Sequence, residues 1–202
     1  MQIVKRVQCE RFPCSDVRHD RYIVPNIDVK PDRISIILIS EAAPAESCDY
    51  YYARGNPLFA QTTVQAFNDA GANVSSIKDV LDLGVYLTPA VKCGKTGYGI
   101  PTSTIKECSR LLEQELALFP KVQAYLLMGD VAIRAINAVA ARAGEPRVIP
   151  AGSTYKIRGD KYFFRGARAF PSYLQAGPSF LIEKRKRKMI AQDIASAMRL
   201  LK

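Results

Sequence analysis

The sequence lacks any long hydrophobic run: no stretch approaches the ~18 uninterrupted apolar residues of a membrane-spanning helix. No membrane partner is therefore expected. The opening segment MQIVKRVQCERFPC has no apolar signal-peptide core, so a cytoplasmic setting is expected, where cysteines stay reduced. Cysteine is scarce and odd in number, with five residues, which argues against a complete disulfide framework and brings metal or cluster ligation forward. Histidine is scarcer still, with His19 alone. Internal repeats and linker-like composition are missing, so residues 1–202 read as a single domain, with 1–32 a polar arm interrupted by Pro13, Pro25 and Pro31. Acidic residues are few: 19 Asp and Glu face 29 Lys and Arg, a formal charge of +10. Such an excess points to a polyanionic partner such as nucleic acid or a membrane surface, and nucleic acid is the one expected.

The apolar content of 48% is that of a globular chain. RISIILIS (33–40) is short, apolar and β-branched, the pattern of a buried parallel strand. DLGVYLTPAV (82–91) and VQAYLLMG (122–129) read as two more strands, and 152–175 as a hairpin with a final strand. Helical periodicity covers 60–71, 101–119, 130–144 and about 180–201, with Thr102 or Ser103 as the cap of the second and Gly144 closing the third. Strands alternating with helices predict an α/β fold: a three-layer α/β/α sandwich around a central, mostly parallel, four-stranded sheet.

The cysteines fall into two pairs and a singlet. Cys9 and Cys14 are spaced C-x4-C, Cys93 and Cys108 C-x14-C, and Cys48 stands alone, read as incidental. Two pairs distant in sequence can converge on one four-thiolate site, which holds either zinc or an iron–sulfur cluster.

The segments RISIILISEAAPAE, GNPLF, VYLTPAVKCGKTGYGIPTSTIKECSRLLEQELALFPKVQAYLLMGDVAIRAI and FPSYL follow one another in an order that resembles the uracil-DNA glycosylase superfamily, most closely its iron–sulfur, family 4-type branch. The resemblance runs from about residue 9 to 195. It implies a DNA glycosylase of base-excision repair, a monomer acting on single- or double-stranded DNA. It also implies a [4Fe-4S] cluster held by Cys9, Cys14, Cys93 and Cys108. On this reading Glu41 positions the attacking water, and Ala42, Ala43, Phe59, Pro89 and Phe170 fall at base-pocket positions; Leu58 competes with Phe59 for the stacking position. Tyr50, Tyr51 and Tyr52 lie in the same loop, with at least one expected to face solvent or ligand.

Two positions depart from the family pattern. Pro89 stands where an asparagine amide reads the base edge, and Phe170 where a histidine donates to the departing base. His19 has no reason to be in that pocket. Specificity altered from plain uracil is therefore expected, with a catalytically silent iron–sulfur protein that recognises damaged or single-stranded DNA as the alternative. A zinc protein on an unrelated α/β fold is a third reading. For DNA binding, Ser172, Tyr173 and Leu174 follow the altered motif, with Tyr173 and Leu174 as candidate wedges. Lys184 and Arg185 of the run EKRKRK, together with Lys92, are read as phosphate contacts.

Overall fold

The computed structural model describes residues 1–97 and 99–201; Tyr98, in the loop between Cys93 and Cys108, lies outside the described residues. Six strands, β1 (Val17–Arg18), β2 (Ile36–Ala43), β3 (Val85–Lys95), β4 (Ala124–Met128), β5 (Tyr162–Phe164) and β6 (Ala167–Ser172), form one sheet in the order β1-β3-β2-β4-β6-β5. The expectation of four strands is corrected to six. Strands β3, β2, β4 and β6 are parallel, and short antiparallel strands flank them, β1 on β3 and β5 on β6. β1 has two residues, too short for any periodicity to announce it, whereas β5 pairs antiparallel with β6 inside the 152–175 segment read as a hairpin.

The helices are α1 (Leu58–Asp69), α2 (Ile77–Asp82), α3 (Thr102–Leu116), α4 (Asp130–Arg142), α5 (Thr154–Ile157), α6 (Pro178–Ile182) and α7 (Lys184–Met198). Pro101, not Thr102 or Ser103, is the residue before α3, and no side chain caps that end. Alternation along β2 divides the core. Ile37 and Ile39 face the arm, α3 and α4, while Ile36 and Leu38 face α1, α2 and α7. All four are fully buried, each a contribution of about 1.5–3 kcal/mol. The arm is not loose: Ile3, Val7, Val24 and Val29 are buried in the first of these cores. Its approach to β3 is close, since a Cβ on Gly94 would lie 2.7 Å from Arg21 Cβ. No helix among the described residues is long and apolar enough to cross a membrane.

Candidate functional site

Open parallel sheets place ligands beyond the carboxyl ends of their strands. β2 lies between β3 and β4, so its end is central, and Glu41 sits there. The ladder with β4 stops at Ile39–Leu127, and β4 then turns through Gly129 into α4. Gly129 is required twice over. Its φ of +101° lies in the region that favours glycine, and a Cβ would stand 2.6 Å from Glu41 Oε1. The Glu41 carboxylate therefore lies directly over this turn. The backbone N–H groups of Val131 and Asp130, at the positive end of α4, favour its ionised form. Burial pushes the Glu41 carboxyl above its ordinary range, and the negative charge of Asp130 adds to the rise. The Lys95 ammonium and the two N–H groups act in the opposite sense.

Glu41 lines a cavity of about 270 Å³, with Ser172, Tyr173, Leu174, Phe180 and Lys186 among its other walls. That volume is just under the ~300 Å³ lower end of small-molecule pockets. Lys186 Nζ stands 5.4 Å from the centre of the Tyr173 ring and pairs with Glu183 at 2.5 Å.

Of the residues expected around the base, only Glu41 lines this cavity. Ala42 and Ala43 are buried because β2 continues through them, paired with Val91 and Gly94. Pro89 is buried beside Ser40, at a point where β3 has β2 alone as a partner, and a missing N–H is tolerated there. Phe170 is buried in the second core, with the Arg168 guanidinium 4.8 Å above its ring. Phe59 is half-buried against Tyr51, ring centres 5.4 Å apart. Tyr50 and Tyr51 are buried, and Tyr52 is half-buried, with its hydroxyl donating to the Leu87 carbonyl and accepting the Leu87 N–H. The three rings pack on one another at 5.5–6.3 Å, which hides Tyr50 and Tyr51 and leaves Tyr52 the one that keeps some exposure.

Two expected DNA contacts, Lys92 and Ser172, are also corrected. Lys92 is fully buried. Its Nζ donates to Thr88 Oγ1 (2.6 Å), to the Pro89 carbonyl (2.8 Å) and to Glu115. Ser172 is fully buried and donates to Asp193 Oδ2 (2.6 Å), which Arg158 holds in turn. Neither side chain reaches a surface. Lys184 and Arg185 are exposed, as the charge run suggested, and Tyr173 and Leu174 are half-buried on the cavity wall.

The second feature is a larger cavity of about 640 Å³, lined by Cys9, Cys14, Cys93 and Cys108 together. A bulge creates it. Between Ala42–Val91 and Ala43–Gly94 the register shifts, leaving Lys92 and Cys93 without partners on β2. Bulges re-aim side chains, and here Lys92 turns to Glu115 while Cys93 lines the cavity. Phe12, with φ +44°, bends the arm between Cys9 and Cys14 and packs on Tyr22 and His19 at 5.1 and 5.2 Å. The Tyr22 hydroxyl accepts the Cys9 N–H, and the Lys92 N–H donates to Cys108 Sγ at 3.1 Å. Burial pushes the Cys93 thiol up to about 12 and the Cys108 thiol up to about 11. Among the described residues no three His, Cys, Asp or Glu side chains are set to hold a single metal ion. Four thiols around a wide cavity fit a larger group, and Lys5, Arg6, Arg11 and Arg110 outnumber Glu10 and Glu107 on its wall, which suits an anionic one. Cys48 is exposed and apart from this group, whereas His19 lines the cavity.

No model of a known protein family matches the chain. The chain is 26% identical over 117 residues to the type-5 uracil-DNA glycosylase of Thermus thermophilus. The likeness supports the uracil-DNA glycosylase superfamily. The match takes in 58% of this chain, which spans about half the length of that relative (51%). The sequence motifs resemble the family 4 type, whereas the relative matched is of type 5. A six-stranded mixed sheet between helices is compatible with a fold of that superfamily. Missed by sequence reasoning were the room that Gly129 gives Glu41 and the action on it of the Lys95 cation. The Met128-Gly129-Asp130 turn was visible as a strand–helix junction, but its contact with Glu41 joins residues too distant for local pattern to reveal.

Proposed function

We propose that the protein is a DNA glycosylase with specificity altered from plain uracil, and that Glu41 is its catalytic carboxylate. The observation that carries this is Glu41 itself, its carboxylate over Gly129 at the start of α4 and at the wall of a base-sized cavity at the end of a parallel sheet. A flipped nucleotide enters from the side of Tyr173 and Leu174. Glu41 orients a water below the sugar. The water oxygen bonds to C1′ as the C1′–N bond breaks, the electron pair leaves with the base, and Glu41 takes up a water proton. Pro89 and Phe170 stand where the resemblance puts the asparagine and histidine donors, and the cavity wall gains no donor from either, which disfavours uracil and favours a base that departs more readily or is held by its ring.

Cys9, Cys14, Cys93 and Cys108 are the residues that would hold a [4Fe-4S] cluster. Such a group, when bound, ties the arm to β3 and α3 and takes no part in hydrolysis. The protein works as a monomer on DNA, with phosphates met by Lys184 and Arg185.

The test is abasic-site formation on single-stranded and duplex oligonucleotides carrying uracil and a panel of damaged or modified bases. Excision of a modified base faster than uracil is expected. Robust uracil excision would overturn the altered specificity. DNA binding with no excision of any base would support the silent reading, in which the pocket recognises without cutting. A visible spectrum with iron and zinc analysis tests the cofactor: a brown protein with about four irons is expected, and a colourless, iron-free protein made anaerobically would refute it.

A further inference from the structure

α6 presents an exposed apolar pair where a basic helix begins. Phe180 is buried and anchors α6 in the second core, but Leu181 and Ile182 point away from it, 55% and 77% exposed. Ile182 is the most exposed large apolar side chain among the described residues. Ser179 and Phe180 on one side, and Glu183 and Lys186 on the other, line the Glu41 cavity, so this pair projects at the cavity's rim. The cations that follow are not all engaged within the protein. Arg187 pairs with Asp69 and Lys186 with Glu183, while Lys184, Arg185 and Lys188 are exposed with no ion pair among the described residues. Cations at the start of a helix oppose its dipole, and no acid stands in the first turn of α7 to offset them.

Two apolar side chains held in water, flanked by three unpaired cations, suit a partner that is anionic outside and apolar within. A nucleic-acid duplex is such a partner: phosphates for the cations, a base step for the apolar pair. Aliphatic wedges that part a base step are a recurrent device in DNA-distorting proteins. Resting on the glycosylase reading above, we infer that Leu181 and Ile182 are the residues that enter the base stack, with Lys184, Arg185 and Lys188 on the flanking phosphates. Tyr173 and Leu174, half-buried on the cavity wall, contact the extruded nucleotide instead. The wedge stands on a short helix fixed to the core by Phe180, rather than on the loop that follows the last strand.

The test uses a duplex with 2-aminopurine beside a central tetrahydrofuran site, a sugar with no base to excise. Unstacking of 2-aminopurine by the wild-type protein raises its fluorescence. The double variant Leu181→Ser/Ile182→Ser is expected to lose that rise and to bind the duplex about tenfold more weakly, since unstacking is the costly step. Its binding to a single strand should be unchanged. Lys184→Ala/Arg185→Ala is expected to keep the rise and to lower the salt dependence of binding by a log–log slope of ~2. Both substituted pairs are exposed, and unchanged thermal unfolding confirms folding. A full fluorescence rise with the double serine variant overturns the inference. So does loss of binding to phosphatidylserine vesicles in that variant with the DNA signal intact, which would make the patch a membrane contact. Because the readout requires no excision, its failure is distinct from failure of the glycosylase reading.

Discussion

Glu41 and Glu115 are both carboxylates drawn out of water against the same sheet, and they are treated in opposite ways. Glu115 is fully buried and fully occupied. Its oxygens accept Tyr86 Oη (2.6 Å), Thr88 Oγ1 (2.9 and 3.0 Å) and the Lys92 ammonium. Glu41 is partly exposed, faces a cavity beside the positive end of α4, and has no ion pair among the described residues. A carboxylate whose valences are all used holds α3 to β3 and can do little else. A carboxylate left partly desolvated beside open space is one that can act on a ligand. The difference separates structure from chemistry more clearly than burial alone.

The comparison predicts where each substitution is felt. Lys92→Met leaves Glu115 buried without its cation and should cost about 3–5 kcal/mol of stability, measured by denaturant unfolding. The double variant Lys92→Met/Glu115→Leu should recover only part of that loss, because an apolar pair replaces the buried ion pair but leaves the Tyr86 and Thr88 hydroxyls without their acceptor. Full destabilisation in the double variant would mean the network does more than satisfy itself. Gly129→Ala should fall on both sides of the comparison. Its positive φ costs about 1–3 kcal/mol in a non-glycine residue, and the new methyl displaces Glu41, so excision should fall along with melting temperature.

Smaller effects come from protonation. Glu41 has a folded-state pKa above its unfolded one, so its contribution to stability is complete below the unfolded value and is lost as pH rises through the folded value. Glu41→Gln should therefore melt slightly higher than wild type at neutral pH, with the gain disappearing in acid. The same shift sets activity: excision needs the ionised carboxylate, so the acid limb of its pH profile should lie above the ordinary glutamate range. Asp79 is the opposite case. Hydrogen bonds from the Ser75 hydroxyl and N–H and the Ser76 N–H hold it down to about 2 at the start of α2, and its contribution, present at neutral pH, should be lost as pH falls through that value.

The sequence carried the parallel strands because an apolar run such as RISIILIS has a pattern of its own. It placed Glu41 just past a strand that in fact runs on through Ala43, since Ala42 and Ala43 extend the ladder without any apolar signal. Lys92 and Ser172 were misread for another reason. Each looks like a surface residue until its partner is known, and those partners, Glu115 and Asp193, lie 23 and 21 residues away. The tyrosine cluster was half legible: Tyr52 keeps some exposure, but the packing of all three rings, brought about by 3-10 geometry at Ser47–Asp49 and the turn after it, had no local pattern. The convergence of the four cysteines was legible as a possibility from number and spacing; the bulge at Lys92 and Cys93 that serves it was not.

The most direct test of the central claim is single-turnover abasic-site formation by wild type and by Glu41→Gln on the base that the wild-type protein removes fastest, with DNA affinity measured in parallel. A fall of about 10²–10³-fold in rate at unchanged affinity is predicted, the scale expected when one preorganised electrostatic group is removed. Equal rates for the two proteins would contradict the account, because the carboxylate over Gly129 would then be no part of the chemistry.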